Sequence, residues 1–219
     1  MNKVFLLATI ITILNLTVSA QIKKGSILLG GQIGFNDSKV DYNNAQPDQK
    51  NKNSLFNISV GTAIRENKVL GASITYGQSD FDQNYNSNAF VNSRGNQYGI
   101  DIFYRQYKKL AKDFYFFGEL GAGYFGSDQT DTDLPGNYIT KYTSSGGRVY
   151  LTPGVAYRIY KKLQVELLVP GIAGASYTVD KKTVAANNAL NSTQNRFGFN
   201  TSLNASFFYN LSLGFKFVL

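Results

Sequence analysis

The sequence predicts an all-β chain: an eight-stranded antiparallel up-and-down transmembrane β-barrel with long extracellular loops and short periplasmic turns. Three observations carry that expectation. Apolar and polar residues alternate with period two in one segment after another, the connections between segments alternate between short and long, and the polar face is built from small uncharged residues. Period-two alternation sends successive side chains to opposite faces of a strand.

The chain opens MNKVFLLATIITILNLTVSA. Lys3 supplies a positive start, Val4 to Leu14 an apolar core too short to span a bilayer comfortably, and Val18-Ser19-Ala20 a small-residue cleavage pattern. Residues 1–20 are therefore expected to be a signal peptide and 21–219 one barrel domain, with no linker or second domain. There is no Cys, which leaves neither a disulfide framework nor a cysteine lipid anchor.

Alternation then runs through Gly25–Phe35, Leu55–Ile64, Val69–Gln78, Gly95–Tyr107, Phe114–Phe125, Arg148–Ile159, Gln164–Tyr177 and Arg196–Leu219. Glycine and β-branched residues within these runs favour strands over helices. Polar stretches near 36–53, 79–94, 127–145 and 178–195 are expected to be the long loops; 65–68, 108–113 and 160–162 are the tight turns. Long connections on one side and short ones on the other are the layout of a transmembrane barrel. Pro153 cannot donate to a ladder, so a local bulge or kink is expected there. The closing segment, at about 3.3 Å per residue, is longer than the ~9–11 residues a tilted crossing needs. Either Phe197–Phe207 rises above the membrane or the chain bends around Asn204-Ala205-Ser206.

The alternation also fits a soluble calyx with apolar residues inside. Composition argues against it. Only 16% of residues are charged, against about 25% in soluble domains, and 14% are aromatic. Asn57, Ser59 and Gly61 oppose Phe56, Ile58 and Val60; Gly71, Ser73 and Thr75 oppose Leu70, Ala72 and Ile74. Small polar residues suit the narrow interior of an eight-stranded barrel and make a poor soluble exterior. The apolar face is therefore expected to meet lipid, with Phe35, Tyr76, Tyr104, Tyr107, Phe114 and Tyr124 as interfacial aromatics.

The signal sequence, the runs "LTPGVAYRI" and "FFGELGAGY" and the terminal "LSLGFKF" resemble the small outer-membrane β-barrel (porin-family, OmpA/OmpX-like) group. The resemblance implies a cell outer membrane location and insertion by the outer-membrane assembly machinery, which reads a terminal aromatic in usual members. Leu219 departs from that pattern, leaving Phe217 or Phe215 to serve, so Phe215, Phe217 and Leu219 are the candidate assembly signal.

Chemistry narrows the function classes. With no His and no Cys, histidine-dependent triads, thiol nucleophiles and ordinary zinc sites are excluded. Asp128, Asp131 and Asp133 share one polar stretch but lack the glycine and terminal Glu of a calcium loop. No catalytic, metal or cofactor site is expected. The formal charge is +8, with Lys clustered in short turns such as Lys108-Lys109 and Lys161-Lys162. In an exported chain this argues against nucleic acid and is expected to be solvated turn charge, with an acidic lipid or periplasmic surface as the alternative partner.

Six charged residues share the polar parity: Asp101, Arg105, Glu119, Arg158, Glu166 and Lys216. They are expected to form a balanced lumen network, with Arg105–Glu119 and Arg158–Glu166 in diagonal reach and Lys216 on the strand beside Glu166. The expected function is a monomeric, non-enzymatic structural or surface-interaction scaffold, its lumen largely filled and its Tyr- and Asn-rich loops meeting an unidentified extracellular ligand. The alternative is a narrow porin-like channel for ions or small solutes.

Overall fold

The computed structural model describes residues 22–40, 48–86, 89–133, 138–185, 190–201 and 211–219. It is all-β: β1 Ile27–Val40, β2 Asp48–Arg65, β3 Lys68–Asn86, β4 Ala89–Lys109, β5 Phe114–Asp133, β6 Tyr138–Tyr160, β7 Leu163–Leu168, β8 Ala173–Val184, β9 Ser192–Thr201 and β10 Ser212–Val218. Strands β1 to β6 form an antiparallel meander, β6 pairs with β7, and β10 pairs with both β7 and β1. Those eight strands close the ring. A closed ring pairs the backbone groups of its strands with one another, which lipid demands because it offers no hydrogen bonds.

β7 and β8 are two halves of one barrel strand. The short-turn half of β6 pairs with β7 and the opposite half with β8. Between them residues 169–172 face only Thr152 and Pro153, since Gly154 opposes Leu168 and Leu151 opposes Ala173. The irregularity expected at Pro153 thus lies in its neighbour: the chain bulges where proline offers no N–H. The bulge is pinned by Val169 N–H to the Pro153 carbonyl at 3.0 Å, Ile172 N–H to the Leu151 carbonyl at 2.9 Å, and Gly171 N–H to Thr152 Oγ1 at 3.1 Å. Gly171 takes φ +58°, a conformation open to glycine.

The outer face follows the alternation. Ile58, Ile74, Ile102 and Leu120 are exposed by 58–65%, an arrangement for lipid and not for water. Tyr76, Tyr98 and Tyr124 lie on this face at one end of the apolar layer, and Phe114, Tyr157 and Tyr160 at the other.

The polar stretches differ from expectation. They are mostly paired strand and not loop: β3 runs to Asn86 and β4 starts at Ala89, β5 runs to Asp133 and β6 starts at Tyr138. The 21 residues of β4 reach about 70 Å, far beyond the ~9–11 residues of one crossing. Cross-strand side-chain bonds explain why polar sequence stays in the ladder. Asn92 donates to Asp82, Asn96 to Asp128 at 3.1 Å, and Tyr76 to Asn96 at 3.1 Å. In the closing segment β9 pairs with β8; the bend considered at 204–206 and the rest of 202–210 lie outside the described residues, as does the signal segment.

Candidate functional site in the barrel lumen

The inward parity of β4 aligns Asp101, Phe103, Arg105 and Tyr107, all buried. β5 adds Tyr115, Phe117 and Glu119, β7 adds Gln164 and Glu166, and β10 adds Lys216. At the centre stands Arg105. Its Nε donates to Glu119 Oε2 at 2.8 Å, its Nη2 lies 2.6 Å from the same oxygen, and its Nη1 lies 2.8 Å from both oxygens of Glu166. Tyr107 donates its hydroxyl to Glu166 at 3.0 Å and accepts from Arg105 at 3.0 Å. The guanidinium also sits 4.3 Å from the ring centroid of Phe117. Removing these ions from water costs several kcal/mol each, and only such paired geometry offsets it.

The other charges divide between two levels. Arg148 clasps Asp101 with two bonds, Nε to Oδ1 at 3.0 Å and Nη2 to Oδ2 at 2.7 Å. Lys216 donates to Ser59 on β2 and lies over the Phe103 ring. The diagonal pairing expected of Arg158 and Glu166 is replaced by another arrangement. Arg158 opposes Gln164 in register and donates to Tyr115 at 3.1 Å near the short turns, while Arg105 and Tyr107 reach across the lumen to Glu166.

Sequence reasoning missed two members. Arg148 shares the inward parity of Arg158, so the signal was present. Tyr107 shares the parity of Arg105, yet its position near a strand end led to an interfacial assignment; it is 3% exposed and part of the network. Asp128 and Asp131, expected in one loop, lie in β5 on opposite faces, and Asp131 accepts from Gln129 at 2.9 Å. Phe215 and Phe217 point outward from β10, and Leu219 closes the ladder by exchanging backbone bonds with Ile27 at 2.8 and 3.0 Å.

Below the ions, towards the short turns, the lumen is packed shut. Leu28, Ala63, Val69, Tyr107, Tyr115 and Phe117 form one buried cluster with Ile22, which is fully buried. Ile22 is tied to the β2–β3 turn: Asn67 N–H donates to its carbonyl at 3.0 Å, and its N–H donates to Asn67 Oδ1 at 3.2 Å. Asn67 takes φ +59°, which Asn tolerates better than most residues. Above the ions the lumen is open, a cavity of about 550 Å³ between Arg105 and the long hairpins. The lumen is therefore a cup, filled below and hollow above, where the sequence suggested a lumen largely filled.

A closed ring with an apolar exterior and a polar interior is the architecture of an outer-membrane barrel, and comparison with known proteins agrees. A family model described as "Outer membrane protein beta-barrel domain" matches residues 5–202. The chain belongs to that family. Its fold is similar to a major outer membrane protein from Thermus thermophilus, with TM-score 0.50 and 8% identity over 89% of this chain and 99% of that one. Also similar are the outer membrane protease OmpT of Escherichia coli (TM-score 0.44, 10% identity, 92% and 96% covered) and Ail, the attachment invasion locus protein of Yersinia pestis (0.35, 8%, 89% and 95%). No curated protein matches the sequence. At such identities the likeness speaks to the fold alone.

Proposed function

We propose that this outer-membrane barrel is a non-conducting, non-enzymatic scaffold that holds its four long polar hairpins rigidly on the outer side of the membrane, where they meet an extracellular ligand. The packed floor carries this reading. Ile22, Phe117 and Ala156 are fully buried, and Arg105 and Glu166 are 2% and 0% exposed; a hydrated ion would have to displace apolar packing and break a paired charge cluster. An interior of eight strands is just wide enough for side chains to fill, whereas wide aqueous channels belong to barrels of about 16–18 strands. The absence of His and Cys from the sequence removes the commonest general bases and nucleophiles.

The N-terminal signal peptide would deliver the chain to the outer-membrane assembly machinery, with Phe215 and Phe217 as the aromatics read near the end. Planar bilayer recording tests the scaffold against the narrow channel. The expected trace shows no steady single-channel conductance. A large, reproducible conductance whose ion selectivity changes in Glu119→Gln would replace the scaffold with the pore.

A further inference from the structure

We infer that the upper lumen is a binding cup for a short neutral saccharide. The cup measures about 550 Å³, within the roughly 300–1,000 Å³ of small-molecule sites. Its mouth lies at the long-hairpin end, where the lining residues Gln97 and Asn200 are exposed.

Two features of the lining select the ligand. First, its charges are already spent: Asp101 is held by Arg148, and Arg105 by Glu119 and Glu166. An ionic ligand would compete with these pairs, so the cup favours a neutral one. Second, among the described residues the side chains of Gln32, Ser73, Gln97, Ser127 and Ser176 line the cavity with no hydrogen-bond partner in the protein. These amides and hydroxyls both donate and accept, as sugar hydroxyls do. Phe125 and Tyr150 flank them, and the Arg148 guanidinium lies over both rings. Amides and hydroxyls over a set of mutually paired charges match an uncharged polyol ring better than an ion or an apolar molecule.

The inference rests on the closed floor of the proposed function, and conductance recording reads that floor with no sugar present. Saturation-transfer NMR on the full chain in a non-sugar detergent measures binding directly. The probes are maltose and cellobiose, with glucuronate and glycylglycine as controls. Expected is saturable millimolar binding of a neutral disaccharide. Ser176→Phe, which fills the cup, should weaken it roughly tenfold or more, and Gln97→Ala, which removes one partner, by a smaller factor. Heat-modifiable gel migration reports that each variant is folded. The inference is overturned if neither disaccharide binds saturably. It is overturned equally if glucuronate or glycylglycine binds as well as the sugars, or if folded Ser176→Phe and Gln97→Ala both bind like the parent.

Discussion

Arg105 shows how much one side chain can hold in place. Hydrogen bonds and ring faces converge on it from β4, β5 and β7, and both of its carboxylate partners are buried. Arg105→Ala would leave Glu119 and Glu166 without the guanidinium that bridges them. Breaking a buried pair from one side costs about 3–5 kcal/mol, so urea unfolding in liposomes should lose stability of that order. The double variant with Glu119→Gln should recover part of it, because one orphaned charge is then gone. A loss below about 1 kcal/mol for Arg105→Ala would mean that water reaches the cluster and screens it. The outer face obeys a different rule. Ile102 is 65% exposed between Tyr98 and Tyr104, and Ile102→Arg should cost about 2–4 kcal/mol if it lies near mid-bilayer. Ser73→Ala, on the neighbouring strand β3 and facing the cup, should cost far less in the same assay.

At the scale of the element, the strands were legible where alternation is strict and illegible where polarity is uniform. Val69–Gln78 and Gly95–Tyr107 read as strands because every second residue changes solvent. The extensions 79–86 and 89–94 are largely polar on both faces, so period two fades and cross-strand bonds such as Asn92 to Asp82 report the pairing. The β6–β8–β9 extension is held the same way: Arg196 donates to Asp180 at 2.5 Å, and Ser144 donates to the other oxygen of that carboxylate. The Arg196 bond, with Ser144 in support, holds the Asp180 carboxyl below its ordinary value of 3.8. A carboxyl with a lowered folded value stabilises the hairpin above its unfolded value, and that support is lost as pH falls through the folded one. Amide exchange in β8 and β9, corrected for its intrinsic pH dependence, should therefore be constant from neutral pH down to about 4 and accelerate below it. Asp180→Asn should show the faster exchange at every pH. Acceleration that begins near pH 6 would assign the lability to another group.

For the whole molecule, the ring and its facing were legible because a barrel is a two-solvent problem and each residue's parity names its solvent. The inward set of Asp101, Arg105, Glu119, Glu166 and Lys216 followed from that rule alone. Partner choice did not, because parity gives a face and not a reach: Arg105 crosses the lumen to Glu166 while Arg158 stays near the short turns. Nor was the division into filled floor and hollow cup legible, since it depends on where rings lie across the pleat. Phe117 covers Gly154 and Tyr150 covers Gly121, pairings between strands that only the register reveals. Phe117 also meets Tyr107, ring centroids 5.5 Å apart, and together they seal the floor against Ile22. Truncating both rings tests whether this seal is what closes the barrel. Phe117→Ala alone should cost about 3–5 kcal/mol by cavity formation. Phe117→Ala with Tyr107→Ala removes two of the rings between the cup and the short-turn end and frees Arg105 and Glu166 to hydrate. Small steady conductance should then appear in planar bilayers where the parent protein shows none. If the folded double variant stays as silent as the parent, the barrier lies elsewhere along the lumen, and the floor formed by Phe117, Tyr107 and Ile22 is not what blocks the passage.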